Sequence, residues 1–371
     1  MLNYYFAFFV AIALTCLFSV RSVQKGFCTV KVRKASSFAI ASLPIALVFL
    51  LRWGVGIDAN WYVGTYPQIY RLLLNDPTQP YETDPLFSLL TKLFCYLKIP
   101  YFWWVFFLGL IYIVAFFNLV YRCSSNTPIS VFLFLTTDLF FFAFGALKQA
   151  LAISFLLIAY CELLNKRERR INWRIVLMFI LSFMAHSSAL LCVICFCFSL
   201  VRLSKAFLIK ITIGTVVLCP FTIFGLSKII EKTEYGREFI GTQYGENQGS
   251  LTHMVFSFVL LVLLIVFYER ILEFDEMNCF WVNMTFCYFV LMINSPALIQ
   301  TFRIVYYFMP TVIIVIPLLI SVIRKRALRV VSVLGVILVS VFIFWNTYYN
   351  NDGKFSYENY QTIFSYTEFL S

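Results

Sequence analysis

The chain has 371 residues, of which 61% are apolar, 19% aromatic and only 13% charged, and its net charge is +11. Soluble domains carry about 25% charged residues, so a water-soluble globule is excluded, and the alternating strands of an outer-membrane barrel are absent. What remains is an all-α polytopic membrane protein. Its positive charge is to be judged by location relative to the bilayer and does not imply nucleic acid.

Taken in chain order, the first apolar run, Tyr4 to Val20, has no basic residue before it and no small-residue cleavage site. It reads as a retained span and not as a signal peptide. Residues 21–34 follow with Arg21, Lys25, Lys31, Arg33 and Lys34. Two later connections are equally basic: NKRERRINWR at 165–174 and RKRALR at 324–329. The positive-inside rule places all three in the cytoplasm. The span at about 36–52 then leads outward into a loop over 53–100. Within that loop PLFSLLTKLFCYLK (85–98) has leucines at helical spacing, with Ser88, Thr91, Lys92 and Cys95 opposite; it predicts an amphipathic interfacial or re-entrant helix.

Further spans are expected at about 101–121, 129–147 and 149–165. The run 174–201 must start and end inside, so it is expected as a hairpin of two short helices with AHSS (185–188) at its tip. Spans at about 207–226, 251–268, 279–299 and 304–323 and a last apolar helix bring the total to about twelve transmembrane or near-spanning helices. Both termini lie outside, in one integral membrane domain (1–371). An outer loop covers 227–250 and an outer tail 349–371. The acidic connection ERILEFDEMN (269–278) falls inside, against its charge.

The eleven cysteines sit almost entirely in apolar runs. Cys192, Cys195 and Cys197 lie in LLCVICFCF with no polar groups to support a metal, so they read as small hydrophobes, and neither disulfides nor a metal site is inferred.

This topology gathers polar residues from distant segments on the outer face: Arg52 and Asp58, Glu82 and Asp84, Lys148 and Gln149, His186 and Ser187, Arg303 with Tyr306 and Tyr307. Plainer roles exist for several. Asp58 and Asp84 suit N-caps, Arg52 a snorkelling span end, His186 a packing residue, and Tyr306 and Tyr307 an aromatic belt. Lys148 and Arg303 are different. Each falls at the outer start of a predicted helix, where the dipole favours an anion over a cation, so the pair suggests a bound negative group such as a phosphate. Asp138, in LTTDLFFF, lies mid-membrane and is a candidate for proton coupling.

Six segments resemble the EpsG family in order. RWGVGIDANWY (52–62) is similar to its R-x-x-x-G-x-D-x-x-x-Y signature and DPLFSLL (84–90) to its E-P-G-F segment. LKQALAISFLLIA (147–159) is similar to its R-Q-x-I-A helix start and FMAHSSALL (183–191) to its F-H-x-S-A motif. FRIVYYF (302–308) and YQTIF (360–364) resemble its R-x-x-Y-F segment and tail. Lys148 stands where arginine is usual, which keeps the charge but loses the bidentate fork. Asp84 stands for glutamate, Leu86 for glycine, and Ala185 for the phenylalanine before the histidine.

The resemblance implies a Wzy-like polymerase of O-antigen, capsule or exopolysaccharide repeat units in the bacterial cytoplasmic (inner) membrane. Its substrate would be an undecaprenyl-diphosphate-linked oligosaccharide, and a flippase and a chain-length regulator would be pathway partners; no cofactor is expected. Asp58 and His186 are the candidate bases, and Arg52, Lys148 and Arg303 the candidate diphosphate ligands. Tyr62, Asp84, Gln149, Tyr306 and Tyr307 are candidate substrate contacts, with Trp53, Trp61 and Tyr66 placed to stack on sugars. A lipid-linked oligosaccharide flippase and a polysaccharide-modifying acyltransferase are the alternatives.

Overall fold

The computed structural model describes residues 2–56, 62, 64–66, 68–69, 84–165, 171–230, 232, 251–297, 301–348, 360, 362 and 364. Apart from one hairpin, the elements among these residues are helical. In order they are α1 (Leu2–Leu17), β1 (Ser19–Gln24), β2 (Phe27–Val32), α2 (Ala35–Leu50), α3 (Pro85–Tyr96), α4 (Tyr101–Cys123), α5 (Thr127–Thr136), α6 (Leu139–Gly145), α7 (Leu147–Asn165) and α8 (Trp173–Ala185). There follow α9 (Ala189–Ser199), α10 (Lys205–Ile230), α11 (Leu251–Val266), α12 (Tyr268–Phe274), α13 (Asn278–Ile293), a 3-10 turn (Ser295–Ala297), α14 (Thr301–Val305), α15 (Pro310–Val322) and α16 (Arg326–Tyr348).

Four of these helices are long and apolar enough to cross a membrane: Tyr101–Cys123, Leu147–Leu164, Lys205–Gly225 and Arg326–Thr347. At 1.5 Å per residue, the 23 residues of α4 reach about 34 Å, which matches the hydrocarbon thickness. Only 17% of the α10 and α16 windows is buried, and α10 leaves Phe221 73% and Phe224 70% exposed. An apolar surface of that extent requires acyl chains as its solvent.

About twelve transmembrane or near-spanning helices were expected. Among the described residues four helices are long enough to span, or six spans if two bent pairs each make one, and seven shorter apolar helices of 10–17 residues accompany them. The apolar run at 129–147 breaks at Thr137–Asp138 into α5 and α6, which meet at 46°. Residues 251–274 break into α11 and α12 at 68°. The expected span at 304–323 opens with a turn at 306–309, and α15 starts only at Pro310. The run 174–201 is interrupted at His186–Ser188, leaving helices of 13 and 11 residues.

The chain divides into two compact units. The first comprises Met1–Ser22, Thr29–Ala189 and Val333–Ser371; the second comprises Val23–Cys28 and Leu190–Ser332. In the first, α1 packs on α2, α2 on α4, α4 on α7, and α7 on α8. One end of this unit holds the basic connection: Val30 bridges Asn126, and the Tyr121 hydroxyl donates to the Arg33 carbonyl at 2.8 Å. The other end gathers the close of α2, the starts of α4 and α7, and the close of α8. There Trp53 meets Tyr101 edge-on with ring centroids 5.5 Å apart.

The tail returns to that same end. Tyr360 donates its hydroxyl to the Val48 carbonyl at 2.8 Å and sets its ring 4.9 Å from Tyr4, and Thr362 bridges Arg52. Tyr360→Phe should therefore cost about 1 kcal/mol. Tyr360→Ala, which also removes the packed ring, should cost about 3 kcal/mol or more. Thermal unfolding in detergent micelles measures both, and equal melting temperatures for all three proteins would refute the clamp.

In the second unit the acidic connection finds its cations. Glu273 lies 3.9 Å from Arg324, and Glu276 lies 3.9 Å from Arg202. Helix α12 buries Tyr268, Ile271 and Leu272 and presents its charges outward, the pattern of a helix lying at an interface. Two of the four acids expected inside against their charge thus have a cation beside them.

Candidate functional site

The site follows from helix register. Helices α7 and α8 run antiparallel, and the Ser182 hydroxyl of α8 donates to the Ala152 carbonyl of α7 at 2.8 Å. Just past the end of α8, four residues on, is His186, and one turn back along α7 is Lys148. Residues four apart share a helix face, so this single bond sets the histidine beside the lysine.

Helix α3 supplies the third member. The sequence D-P starts it, with Asp84 extended as N-cap and Pro85 in the first turn. The leucine face, including Leu89 and Leu93, is exposed, whereas Phe87, Ser88, Thr91 and Cys95 are buried. The small polar face of the amphipathic helix thus packs into protein, partly on α8, and leaves the leucines for lipid.

Asp84 does not cap its own helix. Its carboxylate accepts from the backbone N–H of Ser187 at 3.1 Å and meets His186 Nδ1 at 3.1 Å. The Ser187 N–H is free to donate because α8 ends at Ala185, with His186 extended at φ −161° and ψ 121°. Lys148 Nζ lies 4.0 Å from the same carboxylate and 5.7 Å from the Phe87 ring centroid. The acid is 4% exposed, while the side chains of His186 and Lys148 are 30% and 23% exposed. A buried carboxylate thus anchors two accessible basic groups.

Burial alone would push the Asp84 carboxyl up. The hydrogen bond and charge of His186, the Ser187 N–H and the Lys148 charge outweigh it and hold the carboxyl below the ordinary aspartate range. A carboxylate lowered in the folded state adds stability above its unfolded pKa of about 3.9 and loses it as pH falls through the folded value. The stability gap between wild type and Asp84→Asn should accordingly shrink as pH drops below about 4. Denaturation midpoints across pH 3–6 measure it, and a gap that widens on acidification would contradict the assignment.

With Nδ1 donating to Asp84, the imidazole leaves Nε2 as its acceptor, the arrangement of an oriented general base. Asp84 was expected to contact substrate; in the structure its carboxylate holds the His186 ring and the Ser187 N–H.

Arg52, expected at a diphosphate, is 3% exposed. Its guanidinium donates to the carbonyl oxygens of Phe49 and, at 3.3 Å, Ala143, between the Phe49 and Phe144 rings. It fastens the end of α2 to α6, immediately before Lys148. Gly56 at φ +123° presses backbone to backbone against Phe144 and Gly145. Arg52 and Gly56 together therefore fix where α7 begins.

Tyr62 and Tyr66 are buried against Trp104 at centroid distances of 5.8 and 5.4 Å, and Tyr62 also meets Phe87. Trp53, expected to stack on sugar, is likewise buried. Gln149 is 3% exposed and faces into the protein. These aromatic and amide groups back the site; they do not line it. Asp138 is buried at the α5–α6 break. Asp58, Trp61 and Glu82 lie outside the described residues.

Arg303 belongs to the second unit. It sits in the last turn of the five-residue α14, exposed, and not at the start of a long helix as expected. Tyr306 and Tyr307 are 8% and 1% exposed, which makes them core residues and not an aromatic belt. Among the described residues no group of three or more His, Cys, Asp or Glu is arranged to hold a metal.

The sequence profile of the EpsG family matches residues 36–367, nearly the whole chain. The chain belongs to the EpsG family. This is a family of Wzy-like polysaccharide polymerases. Searches of curated proteins and of solved structures return no match. Within this EpsG chain, the segments DPLF, LKQ and AHSSA supply Asp84, Lys148 and His186, residues 102 positions apart at the extremes. The R-x-x-x-G signature supplies the brace behind them.

Proposed function

We propose that this EpsG protein polymerises undecaprenyl-diphosphate-linked oligosaccharide repeat units by block transfer at the outer face of the bacterial cytoplasmic membrane. The observation that carries the reading is the Asp84–His186 pair with Lys148 beside it, at the end of the first unit opposite its basic connection. The positive-inside rule puts that basic end in the cytoplasm, and hence the pair outside, where lipid-linked units are joined.

In the reaction, a hydroxyl oxygen of the incoming unit attacks the anomeric carbon of the growing chain. The bond from that carbon to the diphosphate oxygen breaks, and the electron pair leaves with undecaprenyl diphosphate. His186 Nε2 takes the hydroxyl proton, and Asp84 stabilises the imidazolium that forms. Lys148, in the first turn of α7, meets the negative charge of the leaving group where the helix dipole also favours an anion. Pathway partners would be the flippase that delivers units and a regulator of chain length.

The test is polysaccharide profiling of a deletion strain complemented with Lys148→Arg or Lys148→Gln. Arginine should support full-length polymer. Glutamine should cut polymer by roughly ten-fold or more, as expected for losing a charged transition-state contact, with protein still in the membrane. Accumulation of single capped units marks a polymerase defect. Loss of all surface units would indicate a flippase, and full polymer lacking a substituent an acyltransferase; either would overturn the reading.

A further inference from the structure

The basic end of the first unit carries a second polar concavity. Strands β1 and β2 form the one hairpin among the described residues, closed by Lys25 at φ 50° and Gly26 at φ 84°, the paired positive angles of a tight hairpin turn. Side chains alternate along a strand. Ser22 of β1 and Thr29 and Lys31 of β2, with Arg33 just beyond, therefore share one face, while Cys28, Val30 and Val32 take the other.

The outer edge of β2 is fastened to the segment between α4 and α5. The Val30 N–H donates to the Ser125 carbonyl at 3.0 Å, and the Val32 N–H to Thr127 Oγ1 at 3.4 Å. The first face, together with Val20, Tyr121 and Val32 at the end of β2, lines an open cavity of about 380 Å³. Ser22 and Thr29 join hydroxyls across the strands at 2.6 Å. No carboxylate among the described residues pairs with Lys31 or Arg33. Burial pushes the Lys31 ammonium below its ordinary value. A desolvated cation without an acid partner is electrostatically incomplete. The cavity lies where α1 ends and α2 begins.

We infer that the groove of the β1–β2 hairpin binds the phosphate of an anionic phospholipid headgroup, with Lys31 and Arg33 as its charge partners and the Ser22 and Thr29 hydroxyls as its neutral ones. The positive-inside rule assigns this headgroup to the cytoplasmic leaflet, whose surface is anionic. The inference needs only that the chain is a membrane protein, so it stands or falls apart from the polymerase reading.

Full-length protein in mild detergent is titrated with phosphatidylglycerol or phosphatidylcholine of identical acyl chains, and bound lipid is counted by native mass spectrometry. Phosphatidylglycerol should bind at least about ten-fold more tightly. Lys31→Gln and Arg33→Gln should each weaken it by about five-fold or more, the loss expected for one cation at an anionic surface, whereas Lys31→Arg should keep it. Lys34→Gln removes the same charge from the same connection outside the groove and should change binding by less than about two-fold. Arg33 is exposed, so its variant carries the test if the Lys31 variant misfolds. Equal binding of the two lipids, equal losses from Lys34→Gln and Lys31→Gln, or displacement of phosphatidylglycerol by millimolar inorganic phosphate would each overturn the assignment.

Discussion

His186→Gln is expected to slow repeat-unit polymerisation by about 10²–10⁴-fold, the usual contribution of a positioned general base, while the protein remains folded and in the membrane. The ring's one described anchor is its bond to Asp84, for which glutamine keeps a donor, and 30% of the side chain is exposed, so the effect should appear mainly in turnover, with a smaller loss of stability from the lost charge beside the buried carboxylate. Purified protein incubated with its lipid-linked unit and run on a gel gives the readout: a ladder from wild type, single units from the variant.

Asp84→Asn should lose roughly ten- to hundred-fold through the missing charge-assisted bond. In the double variant it should cost almost nothing further, because its work is done through His186. Fully additive losses would mean that Asp84 acts independently of the imidazole. Asp84→Glu, the residue the family pattern carries at this position, should retain activity within about ten-fold of wild type.

Gly56→Ala is expected to cause the largest loss of stability. A Cβ at this position would lie 2.7 Å from the Phe144 carbonyl carbon, 2.8 Å from its oxygen and 3.0 Å from the Gly145 nitrogen. These are backbone atoms that cannot swing aside. The φ of +123° adds strain of its own for any residue with a Cβ. Together they should cost at least about 3 kcal/mol, read as a lost monodisperse peak or a lowered melting temperature in micelles. Gly54 is the control. Its φ of +60° is left-handed but nothing lies within 4 Å of its added Cβ, so Gly54→Ala should cost only about 1–2 kcal/mol. A Gly56→Ala protein as stable as Gly54→Ala would show that the 52–56 segment does not dock on the start of α7.

Much of the helical frame was legible because composition reports it directly. The apolar runs that became α4, α7, α10 and α16 could be read from hydropathy alone, and the D-P start of α3 from capping chemistry. The break of the run 174–201 at His186–Ser188 followed from charge topology, but the bends at 137–138 and 266–268 were not legible. Asp138 looked like a lone acid within a span, and only tertiary packing turned Thr137–Asp138 into the bend between α5 and α6.

The hairpin was hidden by charge. The connection at 21–34 drew attention for its five cations, although the alternation of Phe27–Val32 behind a Lys-Gly turn was a strand signal in plain view. At the site, motif spacing pointed to Lys148 and His186 as basic groups. Nothing local showed that Asp84, more than a hundred positions before His186, would hold both. Nor could the sequence tell that Arg52 would turn inward to backbone carbonyls instead of toward a ligand.

The Ser182–Ala152 bond has an evolutionary corollary. Because the alignment of His186 with Lys148 is set inside the paired helices, the connection across residues 166–170 can lengthen or shorten in related chains without disturbing the chemistry. A single residue inserted between Lys148 and Ala152 would instead swing the lysine by about 100° around its axis. Indels should therefore be purged from these two short intervals and tolerated between the two helices.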